Sequence, residues 1–313
     1  MAGRARQDHA LSRAHEDRLG AGLRSAMTGT PRSAPITLPL LGLGCARMGS
    51  FNNEQTFAES VNLVRHALDM GVSLFDTANI YGQGDSERAI GHGLKGSRDR
   101  AIVVTKAGNA FSARMRVMRP LKPLLRPLVA GRSAGGAVTA QRDATLRTDW
   151  SANGLLRSLE GSLRRLRMTH VDIFLLHSPP ADIVVREETI AALDRALASG
   201  KARAVGVACD DLAALDAALA IPVTQVLELP WDILAGIAGT PRAAAIGARR
   251  IAVIAREVIR LQPGIPAPDA VANAVRLPFV ASTLIGSRRI DRVRDIAQFI
   301  ACVDAPTDLE TAP

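Results

Sequence analysis

From residue 38 onward the chain repeats one local pattern eight times: a short apolar run, then a segment with helical periodicity. The strand-like runs are 40–45, 72–75, 101–105, 171–176, 203–207, 223–228, 251–255 and 280–285. The helix-like segments are 55–70, 85–95, 151–167, 186–199, 210–219, 241–248, 267–276 and 289–301. Two carry start signals, Ser151 before one helical run and Asp210 or Asp211 before another. Alternating strands and helices build a parallel sheet. Eight such units match a closed (β/α)8 TIM barrel, and the length suits that fold. A doubly wound open sheet has fewer units and a Gly-rich first turn, so the count selects the barrel.

The barrel is expected to span 36–304, with a basic N-terminal tail over 1–35 and a C-terminal tail over 305–313. Met27 offers an alternative start to Met1. Residues 111–148, after the third strand, break the rhythm: Pro120, Pro123 and Pro127 oppose a continuous helix, and a Gly-Gly stretch follows. This long basic loop follows the C-terminal end of a strand, the face on which barrel active sites lie.

The formal net charge is +9, from 39 Lys and Arg against 30 Asp and Glu. Its distribution decides what it means. Residues 1–35 carry +3, residues 111–148 carry +7, and the remainder carries −1. The barrel itself is nearly neutral. No aromatic platform or recognition motif accompanies the charge, so a nucleic-acid partner is not expected. A basic loop over the mouth would instead attract an anionic substrate. No apolar run is long enough for a spanning helix, and the N-terminus lacks the apolar core of a secretory signal. The three cysteines have no C-x-x-C spacing, which disfavours a disulfide framework or a zinc site, and the expected location is cytoplasmic. The six histidines show no H-x-x-x-H or H-E-x-x-H spacing, so no metal site is expected.

Reactive side chains gather at the predicted strand tips. Asp76 ends the second strand, and Tyr81, the only tyrosine, follows five residues later. Lys106 ends the third strand and His177 the fourth. Singly, each has an ordinary explanation as a turn former, solvated amine, loop anchor or rim aromatic. Together they fall at one end of consecutive strands. An ammonium beside a phenol stabilises phenolate, a carboxylate fixes the ammonium, and an imidazole can orient a carbonyl oxygen. This set suits protonation of an oxygen as hydride reaches the adjacent carbon. A Tyr-x-x-x-Lys dehydrogenase is excluded, since Asp85 lies four residues after Tyr81.

The segments LPLLGLGCARMG, GVSLFDTANIYGQGDSERAIG, VVTKAG and VDIFLLHSPP resemble the aldo-keto reductase family, as do SLRRLRMTHVD, ASGKARAVGV and STLIGSRRIDRV. The resemblance runs over roughly 38–300 and is strongest in 40–108 and 151–207. It implies an NADPH-dependent enzyme that reduces an aldehyde or ketone, with Tyr81 as general acid, Lys106 tuning it, Asp76 pairing with Lys106 and His177 positioning the carbonyl. Cofactor contacts implied by the resemblance are Gly44 and Cys45 at the first strand tip, Gln225 for the nicotinamide amide, Arg256 at the position of the stacking aromatic, and Gly286, Ser287, Arg288 and Arg292 around the adenosine phosphate. The two arginines favour NADPH/NADP+ over the unphosphorylated pair. The family's Ser-Asn pair aligns with Ala208 and Cys209. These departures motivate an alternative, a catalytically inactive nucleotide-sensing protein on the same barrel. The partner set is then a small carbonyl compound with no nucleic acid or membrane, and the resemblance favours a monomer.

Overall fold

The computed structural model describes residues 36–49, 55–111 and 146–303. Eight strands close into a parallel barrel: β1 (Leu41–Gly44), β2 (Leu74–Asp76), β3 (Ile102–Ala107), β6 (Val171–His177), β7 (Ala202–Ala208), β8 (Val226–Pro230), β9 (Ala252–Arg256) and β10 (Ser282–Ile285). β1 pairs with both β2 and β10, which closes the ring. The two remaining strands, β4 (Asn109–Phe111) and β5 (Leu146–Thr148), form an antiparallel pair outside it. The ends of the segment expected to be a loop over 111–148 are therefore strand-paired. Its interior, like both tails, lies outside the described residues.

The two-residue period of a strand sorts the side chains into two cores. Leu74, Val104, Ile173, Ala204, Val226, Ile254 and Leu284 fill the barrel interior, with Ile36 and Leu38 packed against them. Residues of the opposite parity, such as Phe75, Val103, Phe174 and Leu227, belong to the larger core that the outer helices cover. Those helices include α1 (Phe57–Asp69), α2 (Asp85–Gly93) and α3 (Ala152–Leu166). Beyond these on the inward-facing rows come Asp76, Lys106, His177, Glu228 and Arg256, while Ala208 keeps the β7 row apolar to its end. The barrel thus carries an apolar layer beneath a polar one at its C-terminal mouth, which fixes where chemistry can occur.

Local contacts hold the mouth in shape. Gly108 follows β3 with φ +117°, and an added Cβ would lie 1.8 Å from the Trp150 ring. That close approach brings the chain back along β4 and β5 toward α3. α1 starts with a capping box in which Thr56 accepts from the Glu59 N–H at 3.2 Å while Glu59 Oε2 accepts from the Thr56 N–H at 2.6 Å. Thr56→Ala is expected to cost about 1 kcal/mol, measurable as a shift in the urea midpoint at unchanged slope.

Candidate active site

The polar layer is built around Lys106, which is buried at the tip of β3. Its Nζ forms an ion pair with Asp76 Oδ1 from neighbouring β2. It forms a second ion pair, at 3.0 Å, with Glu228 Oε2. β8 does not adjoin β3 in the barrel order, so Glu228 reaches Lys106 across the lumen. Asp76 and Glu228 are themselves 3% and 2% exposed, so two carboxyl groups share one buried amine.

Tyr81 stands over this cluster. Lys106 Nζ lies 5.5 Å from its ring centroid. The His177 ring meets it edge-on, with centroids 5.6 Å apart. Tyr81 opens a tight helical turn whose next residues, Gly82 and Gln83, both have positive φ. At Gly82 a Cβ would come within 2.4 Å of the Met48 carbonyl, so glycine is required for the turn to sit against the β1 loop. His177 is fixed through its carbonyl, which accepts from Asn109 Nδ2 at 3.0 Å. Asn79 Nδ2 in turn donates to the Asn109 carbonyl and to Ser158 Oγ, each at 2.8 Å. Besides Gln83, the left-handed non-glycine residues include Ser178 and Glu257, which directly follow His177 and Arg256. Such backbone strain concentrates where surrounding contacts impose a geometry.

Electrostatics follow from this crowding. Burial and the neighbouring Glu228 charge push the Asp76 carboxyl up to about 7, against the opposing pull of Lys106. Burial alone would lower the Lys106 pKa, but Asp76 and Glu228 more than offset it and hold the amine protonated well above the ordinary lysine value. Tyr81 runs against the expectation from sequence. Burial outweighs the lowering effect of Lys106, and Asp76 and Glu228 add to burial, so the phenol is raised rather than lowered. Tyr81 stays protonated at neutral pH in this environment.

The structure brings Asp76, Tyr81, Lys106 and His177 together at one mouth, with Arg256 beside them. Arg256 donates to the Cys209 carbonyl at 3.1 Å and forms ion pairs with Asp210 and Glu257. Its Nε is 3.7 Å from Glu228 Oε1. Gly44 ends β1 on the inward row, whereas Cys45 does not line the mouth with its side chain. Its thiol is 1% exposed in the outer core and bonds the Leu43 carbonyl. Gln225 is likewise elsewhere. β8 begins at Val226, so Gln225 sits before the strand at the opposite rim, its Oε1 accepting from the Val205 N–H at 3.2 Å. Three residues further, Glu228 occupies the inward position near the mouth. Gly286, Ser287 and Arg288 lie between β10 and α4 (Ile290–Val303), and Arg292 is in the first turn of α4. Ser287 Oγ there accepts from the Arg289 N–H at 3.1 Å.

Glu228, Asn79 and Asn109 were absent from the sequence-based set. Only Glu228 left a signal, a lone acid within the apolar run VLELP.

The closed barrel thus gathers an acid, an amine, a phenol and an imidazole at its C-terminal mouth. The pattern of the aldo/keto reductase family matches residues 40–235, and the chain belongs to that family. The aldo-keto reductase YhdN of Bacillus subtilis is 26% identical over 208 residues, 62% of this chain and 50% of YhdN. The chain spans about half the length of the curated relatives it matches. Among solved structures, the holo form of aldo-keto reductase AKR11C1 from Bacillus halodurans superposes with a TM-score of 0.66 at 18% identity, covering 90% of this chain and 92% of that one. An aldo-keto reductase from Klebsiella pneumoniae in complex with NADPH superposes at 0.58 with 22% identity, covering 86% and 90%. No helix among the described residues is long and apolar enough to cross a membrane.

Proposed function

We propose that the protein is an NADP(H)-dependent reductase that converts an aldehyde or ketone to an alcohol, with Tyr81 as the general acid. The observation that carries this reading is the placement of Lys106 and His177 around the Tyr81 ring, at 5.5 and 5.6 Å. The raised pKa of the phenol suits it, because reduction needs a protonated donor. In this reading Tyr81 Oη delivers its proton to the carbonyl oxygen, and Lys106, held by Asp76, stabilises the phenolate left behind. His177 directs the carbonyl oxygen toward Tyr81.

The residues after β10 fit a phosphate-bearing cofactor. Gly286 is exposed with open space around its Cα, and Arg288 and Arg292 present guanidinium groups at the surface. Such groups bind a phosphate through paired, charge-assisted hydrogen bonds. NADPH, also the ligand of the Klebsiella pneumoniae relative, would supply the hydride. Replacing Arg288 and Arg292 together by Ala is expected to weaken NADPH binding at least ~10-fold. NADH binding should change little, as read by cofactor fluorescence titration.

A second reading rests on the ion pairs of Arg256 with Asp210 and Glu257, and on Ala208 and Cys209, whose side chains are poor partners for a carboxamide. It makes the barrel a nucleotide sensor without turnover. NADPH oxidation with a panel of aldehydes and ketones, including anionic ones, separates the two. Turnover with any of them supports the reductase. NADPH fluorescence quenching without turnover supports the sensor. We further propose a monomeric, cytoplasmic protein with no nucleic-acid partner, which size-exclusion chromatography, cell fractionation and nucleic-acid binding assays test.

A further inference from the structure

The carboxyl group that reaches Lys106 across the barrel has no part in the proton transfer described above. Asp76 by itself would pair Lys106 into a neutral unit. Glu228 adds a second carboxyl group to the same Nζ at 3.0 Å, within a layer closed to solvent. Its other oxygen is 3.7 Å from Arg256, but that guanidinium is engaged at its outer edge by Asp210 and Glu257. Among the described residues the His177 ring also meets Tyr81, edge-on, while the nearby thiols Cys45 and Cys209 are turned into the outer core, away from the phenol. The phenol therefore faces one ammonium balanced by two carboxyl groups, with the second cation displaced toward the rim.

We propose that Glu228 is a positioning residue of this site, clamping Lys106 from across the barrel and thereby keeping the Tyr81 phenol protonated. Glu228 cancels the part of the Lys106 charge that would otherwise stabilise phenolate. The consequence for turnover, which rests on the reductase reading, is a bias toward the reductive direction: carbonyl reduction needs the phenol, alcohol oxidation the phenolate.

The test does not depend on turnover. Because Tyr81 is the only tyrosine in the chain, phenolate ultraviolet absorbance reports this residue alone. In cofactor-free Glu228→Gln, with folding verified by circular dichroism, phenolate is expected at a pH lower than in wild type by about one unit or more, the size of one charge removed across a few ångströms. Arg256→Gln removes the cation on the other side of Glu228 and is expected to delay phenolate. A purely structural role would not give opposite shifts. Infrared spectroscopy supplies a second measurement: the protonated carboxyl band of Asp76 should be lost at lower pH in Glu228→Gln than in wild type. Coincident titrations of Glu228→Gln and wild type, or an earlier phenolate in both variants, would overturn the proposal. If Glu228→Gln does not fold, Glu228→Asp decides: the shorter side chain draws the carboxylate away from Lys106 Nζ, phenolate is expected at a lower pH than in wild type, and a coincident titration is the contrary result. Lack of turnover alongside the expected shifts would sink the reductase reading and leave the clamp standing.

Discussion

Tyr81→Phe is expected to lower the rate of carbonyl reduction by ~10²–10⁴-fold, the range for loss of a positioned general acid. Affinity for NADPH should stay within about threefold, less than half the free energy of a tenfold change. The selectivity follows from the geometry. The ring would keep its edge contact with His177 and its place over Lys106, and only the hydroxyl would go. Phenylalanine also keeps the volume and the turn conformation that Gly82 permits. The pH dependence carries the same signature. A phenol raised by burial stays protonated through neutrality, so its contribution to reduction should not decline until the solution is strongly alkaline. In the oxidative direction the rate should rise with pH over that range in wild type and stay flat in Tyr81→Phe. Steady-state kinetics with fluorescence titration of NADPH would measure both. A variant retaining more than a tenth of wild-type reduction would remove Tyr81 from the acid role.

The barrel and most of its site are legible in the sequence because both obey the two-residue period of a strand. Asp76, Lys106 and His177 end apolar runs at inward-facing positions, and the runs adjoin in the sheet. Gln225, a cofactor contact implied by the resemblance alone, shows where strand limits are not legible. The apolar run 223–228 reads as a strand, but the strand occupies Val226–Pro230. A shift of three residues at its start moves Gln225 to the far rim. Glu228, of opposite parity to Gln225, is the inward residue near the mouth instead. Strand limits depend on pairing partners, and VTQVLELP alone does not specify them. The direction of the Tyr81 shift was hidden for a related reason. Its charged neighbours come from β2, β3, β8 and β9, and burial by the assembled barrel exceeds the effect of the one cation nearest in sequence. The pairing of β4 with β5 joins residues separated by the whole intervening segment, a distance over which turn chemistry gives no guidance.

Lys106→Met tests the central pairing through stability rather than turnover. Methionine fills much of the lysine volume, so the cavity cost is small and the electrostatic cost dominates. Asp76 and Glu228 would remain buried with no ammonium between them, and breaking such a pair costs about 3–5 kcal/mol. The cost has a defined sign with pH. In wild type the Asp76 carboxyl is raised to about 7 from an ordinary 3.8. Its contribution to stability is therefore full below the ordinary value and is lost as the pH rises through 7. Without Lys106 the counter-charge vanishes and the Asp76 carboxyl is raised further, so the penalty keeps growing above 7. Each added proton held by the folded state contributes a slope of about 1.4 kcal/mol per pH unit. Urea unfolding at three pH values between 5 and 8 should then show a destabilisation that is smallest at the acid end and increases steadily. Adding Glu228→Gln to Lys106→Met should recover part of the loss at alkaline pH, because one buried negative charge is removed. A destabilisation independent of pH would mean that packing, not charge, holds the site. That result would also remove the basis for assigning Lys106 an electrostatic role toward Tyr81.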